Sequence, residues 1–105
     1  MTPREHFDEA TVAYRDRPDV AAGLLMRSYG LKVQGKIFAM LSHDRLVVKL
    51  PRARVVELLD AGGAAPFETA PGRVMKEWAT VGVDDAPAWP GLVTESFNYV
   101  TSLIR

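Results

Sequence analysis

The chain has 105 residues, of which 48% are hydrophobic and 25% are charged, a composition typical of one folded domain rather than of a disordered or fibrous chain. It contains no cysteine, which excludes disulfides, thiolate nucleophiles and cysteine-based metal sites. No apolar run approaches the roughly 20 residues of a membrane span, and the N-terminal segment lacks the apolar core of a signal peptide. We therefore expect a cytoplasmic protein without membrane association, folded as a single domain over residues 1–105.

Charge is distributed unevenly along the chain although the net charge is zero. Residues 20–54 contain seven basic residues and one acidic residue, a balance of +6, whereas residues 1–19 and 55–105 have balances of −2 and −4. Such charge blocks commonly end on solvated faces, where acids from other elements neutralise them. The alternative is a positive surface that attracts a negatively charged partner.

The chain begins with the signals of an amphipathic helix. Thr2 and Glu5 have the spacing of a capping box, and Pro3 suits the first helical position. Four residues then recur at helical spacing and predict a stripe that faces the core: Phe7, Ala10, Thr11 and Tyr14. The helix is expected to end before Pro18, because the residue before a proline is biased away from helical geometry.

Residues 24–50 predict a three-stranded antiparallel meander, because three apolar runs are separated by Gln34-Gly35 and His43-Asp44. Counting from two-residue turns gives the register and hence the faces of the sheet. One face carries no charge and is predicted to be core: Ile37, Ala39, Leu41, Leu46, Val48 and Leu50. The other face mixes cations with aromatic and aliphatic side chains: Arg27, Tyr29, Leu31, Val33, Lys36, Phe38, Met40, Arg45, Val47 and Lys49.

The remainder of the chain predicts a helix, a hairpin and a final helix. A helix is expected from Pro51 to Asp60, followed by strands over 66–69 and 74–83. Asp84-Asp85 is expected to cap an amphipathic helix that continues to the C-terminus. The predicted fold class is α+β, an antiparallel sheet with helices packed on one face in the order α-β-β-β-α-β-β-α.

Catalytic and nucleotide-binding motifs are incomplete. Residues 30–37 match a phosphate-binding loop, but Ile37 replaces its Ser or Thr and the segment lies in predicted strands. Ser42-His43-Asp44 has the residue types of a hydrolase triad, yet consecutive residues in a tight turn are not expected to orient one another. His6 has no second histidine at helical spacing for a metal pair. We expect no enzyme activity, no metal and no cofactor, and an enzyme with an unrecognised site is the alternative.

The mixed face of the meander is the main functional signal. Interleaved basic and aromatic side chains can neutralise phosphates and stack bases, and the same residue types are enriched in protein interfaces. A third interpretation is a covering layer, with the cations extending out at its edges. We expect a small non-enzymatic binding or regulatory module with a protein partner or a homodimer interface, and DNA or another nucleic acid is the alternative partner. The candidate binding residues are Arg27, Tyr29, Lys36, Phe38, Arg45, Lys49, Lys76 and Trp78.

Two short segments carry a family resemblance. GLKVQGKIFAML, residues 30–41, resembles the N-terminal domain of the TfoX/Sxy competence regulators, and VMKEWATV, residues 74–81, is similar to a strand of the related MmcQ/YjbR family. The residues that match the first family are Met26, Gly30, Gly35, Lys36, Phe38 and Ala39. The resemblance implies an α+β fold of the type-III-secretion-chaperone-like class and no catalytic residues. For the YjbR-like group it also implies a suggested role in DNA binding.

Overall fold

The computed structural model describes residues 1–25 and 28–104 and contains an antiparallel sheet of six strands with three α-helices. The predicted α+β class is confirmed, as is the succession of helix, strands, helix, strands and helix. The strands lie in the order β1-β2-β3-β4-β6-β5. In chain order the elements are α1 (Pro3–Arg15), β1 (Val20–Leu25), β2 (Ser28–Val33), β3 (Lys36–Ser42), β4 (Arg45–Lys49), α2 (Arg52–Asp60), β5 (Ala65–Ala70), β6 (Arg73–Val81), a 3-10 turn (Val83–Ala88) and α3 (Trp89–Ile104).

Helix α1 begins with the predicted capping box. The Glu5 backbone N–H donates to Thr2 Oγ1 over 3.1 Å, and the Thr2 backbone N–H donates to Glu5 Oε1 over 2.9 Å. Phe7, Ala10 and Thr11 are buried, as the helical stripe predicts. Together these contacts fix the start of α1 and direct its apolar face onto the sheet.

The first strand of the sheet was not predicted as a separate element. Val20–Leu25 forms β1 and pairs antiparallel with β2, from Val20 opposite Val33 to Leu25 opposite Ser28. The sequence predicts a single strand across this region, because no glycine, proline or asparagine marks a turn between the two strands. The alanine-rich sequence of β1 also has little of the β-branched content that predicts a strand.

The two predicted turns of the meander are present. Gln34 and Gly35 have φ angles of +48° and +83°, and His43 and Asp44 have φ angles of +51° and +63°. Positive φ at both central residues is the geometry of tight hairpins whose twist matches the strands. Strands β2, β3 and β4 are therefore connected as the sequence predicts.

Replacing Gly35 by alanine is expected to lower the free energy of unfolding by about 1–2 kcal/mol, the cost of left-handed backbone for a residue with Cβ. Because an added Cβ at Gly35 meets no atom within 4 Å, the loss comes from the backbone angle alone. Gly23→Ala is the control, because Gly23 lies in a strand and an added Cβ there also meets nothing within 4 Å. Urea denaturation measures both, and equal losses at the two positions would contradict the turn assignment.

A β-bulge changes the predicted faces of β2 and β3. Val33 and Lys32 pair with Lys36 and Ile37 as a two-residue turn requires, but the register then shifts and Leu31 pairs with Ala39. Because Phe38 is the extra residue, Leu31 lies opposite the core-facing Ala39, and Tyr29 and Val33, two residues to either side of Leu31, share its face. The prediction that Tyr29, Leu31, Val33 and Phe38 lie on the outer face is therefore wrong, since Leu31, Val33 and Phe38 are each 0% exposed in the core and Tyr29 packs against it.

The core lies between the helices and one face of the sheet. The Phe38 ring contacts Phe97 of α3 and Tyr14 of α1, with centroid distances of 5.4 Å and 6.1 Å. Trp89, the first residue of α3, is also fully buried, and its Nε1 donates to the Gly82 carbonyl over 3.2 Å. The aromatic side chains thus fix α1 and α3 over the centre of the sheet.

The segment before α3 differs from the prediction. Asp84 and Asp85 lie inside the 3-10 turn, whose capping position is Gly82 and has no side-chain hydrogen bond. Helix α3 begins only at Trp89. Pro87 lies within this turn, and a proline removes a backbone donor from the helical hydrogen-bond pattern. The expectation that the two aspartates cap the final helix is therefore wrong.

Candidate binding site at the cationic end of the sheet

One end of the sheet collects basic side chains from several elements. The β2–β3 turn, the end of β4 and the start of α2 meet there, and Lys49 pairs with Trp78, so that residues 73–77 of β6 extend beyond β4. Every lysine of the chain belongs to this group. We define the cationic end of the sheet by these residues: Lys32, Lys36, Lys49, Arg52, Arg73 and Lys76.

Few carboxylates compensate the charge of the cationic end. Among the described residues, only Lys49 of this group lies within ion-pair distance of a carboxylate, with Nζ at 4.0 Å from Glu77 Oε1. The segment between α1 and β1 reaches the same region, where the Gln34 backbone N–H donates to the Asp19 carbonyl over 2.9 Å, but Arg17 and Asp19 form an ion pair at 3.0 Å and their charges cancel. The local charge is therefore positive even though the whole chain is neutral.

A cleft of about 670 Å³ opens at the cationic end. Lys32, Lys36 and Lys49 stand around it, next to the Gln34-Gly35 turn. Apolar side chains of β3, β6 and the last turns of α3 form its walls: Ile37, Trp78, Val100, Leu103 and Ile104. Leu103 is 55% exposed, so a large apolar side chain faces water at this position. The cleft thus combines ammonium groups with an apolar surface.

A hydrogen-bonded network connects one wall of the cleft to α3. Tyr99 Oη donates to Glu77 Oε2 over 2.6 Å, and the other oxygen of Glu77 faces Lys49. The Lys49 ammonium lies 5.8 Å from the centroid of the Trp78 ring, within the range of a cation–π contact. These contacts fix the positions of Lys49 and Trp78, which were both predicted as binding residues.

The same network shifts the titration of Tyr99. The hydrogen bond to Glu77, followed by burial and the carboxylate charge, raises the pKa of Tyr99 above its ordinary value of 10.0. Because the folded-state pKa is the higher one, this stabilisation is complete below about pH 10 and is lost as the pH rises through the folded-state pKa. We expect Glu77→Gln to return the pKa of Tyr99 toward 10, measured by ultraviolet absorbance against pH. Tyr99→Phe removes the absorbance change that belongs to Tyr99 and so identifies it among the three tyrosines. An unchanged pKa of Tyr99 in Glu77→Gln would contradict the network.

Two of the predicted binding residues pack into the core instead of facing the sheet surface. Phe38 is fully buried. Tyr29 is half-buried beneath α1, where it meets the Phe7 ring at 6.0 Å and the Arg4 guanidinium at 3.7 Å from its ring centroid. Neither ring is free to stack on a ligand at the sheet surface. Arg27 is a predicted binding residue that lies outside the described residues.

The other predicted residues divide between the two ends of the sheet. Arg45 begins β4, at the opposite end from Lys49, and donates to Thr80 Oγ1 over 3.1 Å. Lys36, Lys49 and Trp78 all line the cleft. Lys76 is exposed and borders a smaller groove that Trp78 also lines. The structure therefore brings four of the predicted residues to one end: Lys36, Lys49, Lys76 and Trp78.

Several residues of the cleft were missed by the sequence analysis. Lys32 was not assigned to a functional face, and Ile37 was predicted to be core. Leu103 belongs to the predicted final helix and was not assigned to a site, and it is more than half exposed. Hydrophobic periodicity cannot separate a core position from a cleft wall, because both require an apolar residue on the same helix face.

Ser42 and His43 meet more closely than expected. Ser42 Oγ lies 3.1 Å from His43 Nδ1 at the exposed β3–β4 turn. Within the described ranges, no carboxylate hydrogen-bonds to the imidazole. The described residues contain no group of three or more His, Asp or Glu side chains that could hold a metal ion. Nor do they include a helix with the length and apolar character needed to cross a membrane.

Comparisons with protein-family models, with curated proteins and with solved structures found no match to this chain. The resemblance to the TfoX/Sxy and MmcQ/YjbR families stays a prediction from two short segments. The secretion-chaperone-like class implied by that resemblance has the same standing.

Proposed function

We propose that this protein is a non-enzymatic binding module whose cationic end contacts the phosphate backbone of a nucleic acid. The observation that carries the proposal is the gathering of every lysine at one end of the sheet, with little local compensation by carboxylates. Phosphate contacts are made largely by lysine and arginine side chains and fix the position of a protein on a nucleic acid. Lys36 lies next to the β2–β3 turn and Arg73 and Lys76 lie on the β5–β6 hairpin, and all three are exposed.

The distribution of aromatic residues favours a nucleic acid over the protein partner expected from the sequence. Protein interfaces are enriched in aromatic residues and depleted in lysine. Of the three aromatic residues expected to anchor a partner, Tyr29 and Phe38 pack beneath the helices and only Trp78 borders the cationic end. A surface dominated by lysine matches phosphates better than it matches an apolar partner.

A homodimer through the cationic end is disfavoured by its own charge. A two-fold interface places the same patch on both subunits. The cations of one subunit, Lys36 and Lys76 among them, would then face the cations of the other, and neither lysine has a carboxylate partner within the described ranges. An acidic protein surface is the protein partner that the charge allows.

The test is titration of labelled single- and double-stranded oligonucleotides with the purified protein at low and at roughly physiological salt. If about five phosphates are neutralised, affinity should fall by about 500-fold between 50 mM and 200 mM salt. Light scattering on the same samples gives the mass of the complex. Saturable, salt-dependent binding supports the proposal. Absence of binding at low salt would overturn it, and a dimeric mass without oligonucleotide binding would favour self-association.

A further inference from the structure

We propose that the cleft at the cationic end binds a small organic anion with an apolar chain, such as a medium-chain carboxylate. This inference is independent of nucleic-acid binding, since it rests on the apolar walls of the cleft and not only on its charge. A phosphodiester backbone would leave those walls without a partner. The volume of about 670 Å³ is in the usual range for small-molecule sites.

The ammonium groups and aliphatic side chains that line the cleft determine which ligand it can bind. Lys32 and Lys36 supply ammonium groups at the β2–β3 turn, and Lys49 supplies a third, with its Nζ 4.0 Å from Glu77 Oε1. Ile37 and Leu103 offer aliphatic surface beside them. A charged head between the lysines would place an attached chain against this surface. An uncharged chain would gain nothing from the lysines, and a cation would be repelled by them.

The exposure of Leu103 in the cleft wall determines how binding should depend on the length of the ligand's chain. More than half of this side chain meets water although it borders the cleft. An apolar chain in the cleft would remove that surface from water, and each methylene so buried strengthens binding by about fourfold. A ligand that uses the cleft should therefore bind more tightly as its chain lengthens.

The experiment titrates the full chain with decanoate and octanoate, followed by tryptophan fluorescence and calorimetry. Only Trp78 should respond, because the other tryptophan, Trp89, is fully buried. We expect one saturable site per chain and decanoate binding up to about 15-fold tighter than octanoate. Decyltrimethylammonium, with the same chain and the opposite charge, should not bind. Equal binding of the cation and the anion, or no saturation, would overturn the proposal.

Variants separate the cleft from the rest of the surface. Leu103→Asp should weaken decanoate binding at least tenfold, because it removes apolar wall and adds a like charge. Val12→Asp makes the same change on α1, where Val12 is 63% exposed and does not line the cleft, and it should leave binding unchanged. Circular dichroism confirms that both variants fold. Equal weakening by the two variants would place the ligand elsewhere and overturn the assignment.

Discussion

Replacing Phe38 by alanine is expected to lower the free energy of unfolding by about 3–5 kcal/mol, the range for truncating a buried phenylalanine. Phe38 is fully buried, and its ring lies 5.4 Å from the Phe97 ring and 6.1 Å from the Tyr14 ring. Truncation therefore leaves a cavity where β3 meets both α1 and α3. Urea denaturation, followed by circular dichroism, measures the loss.

The neighbouring residue provides the control. Ile37 is half-buried in the wall of the cleft, so Ile37→Ala should cost less than half as much as Phe38→Ala. The register counted from the sequence predicts the opposite ranking, with Ile37 in the core and Phe38 on the surface. A larger loss at Ile37 than at Phe38 would contradict the β-bulge and the faces of the sheet that depend on it.

Neutralising two lysines in the double variant Lys36→Gln/Lys76→Gln is expected to weaken oligonucleotide binding. If each lysine contacts one phosphate, the affinity should fall by about 60-fold at roughly 0.1 M salt. The slope of log affinity against log salt should fall in magnitude by about 2. Both lysines are exposed, and they lie on different hairpins at the cationic end. Fluorescence anisotropy across a salt series measures both quantities.

Arg4→Glu is the matched control for that variant, because it lowers the net charge of the chain by the same amount. Arg4 lies in the first turn of α1 and stacks on Tyr29, which pairs with Leu41 in the half of β3 away from the cationic end. Its effect on the salt slope should be small. If Arg4→Glu weakens binding as much as the double lysine variant, attraction depends on net charge and the cationic end is not a site.

Much of the fold is predictable because its signals are local. The capping box of α1, the glycine of the β2–β3 turn and the helical stripe at Phe7 each depend on a few adjacent residues. The extra strand β1 lacked such a signal at its junction with β2. The β-bulge depends on whether Leu31 pairs with Phe38 or with Ala39 across the sheet. Pairing with Ala39 allows Phe38 to pack against Phe97 of α3.

The candidate site was predictable only in part, because its residues come together through contacts between segments that are distant in the sequence. Lys36, Lys49, Lys76 and Trp78 were identified as binding residues from their types and alternation. Lys49 and Trp78 meet because β4 pairs with β6 across the intervening α2 and β5, and β3 brings Lys36 to the same end through its pairing with β4. The loss of Tyr29 and Phe38 from the surface follows from the bulge. Neither the long-range pairing of these strands nor this bulge is indicated by a pattern of a few adjacent residues.

The most direct test of the binding surface is amine labelling of the native chain with and without a bound oligonucleotide, with each site quantified by mass spectrometry. The lysines all lie at the cationic end, whereas Met1 is 69% exposed beside the start of α1, so in a chain expressed from Met1 the terminal amine serves as internal reference. Our account predicts slower labelling of Lys32, Lys36 and Lys76 in the complex and an unchanged rate at the Met1 amine. Unchanged lysine labelling in a saturated complex, or protection of the Met1 amine instead, would contradict it.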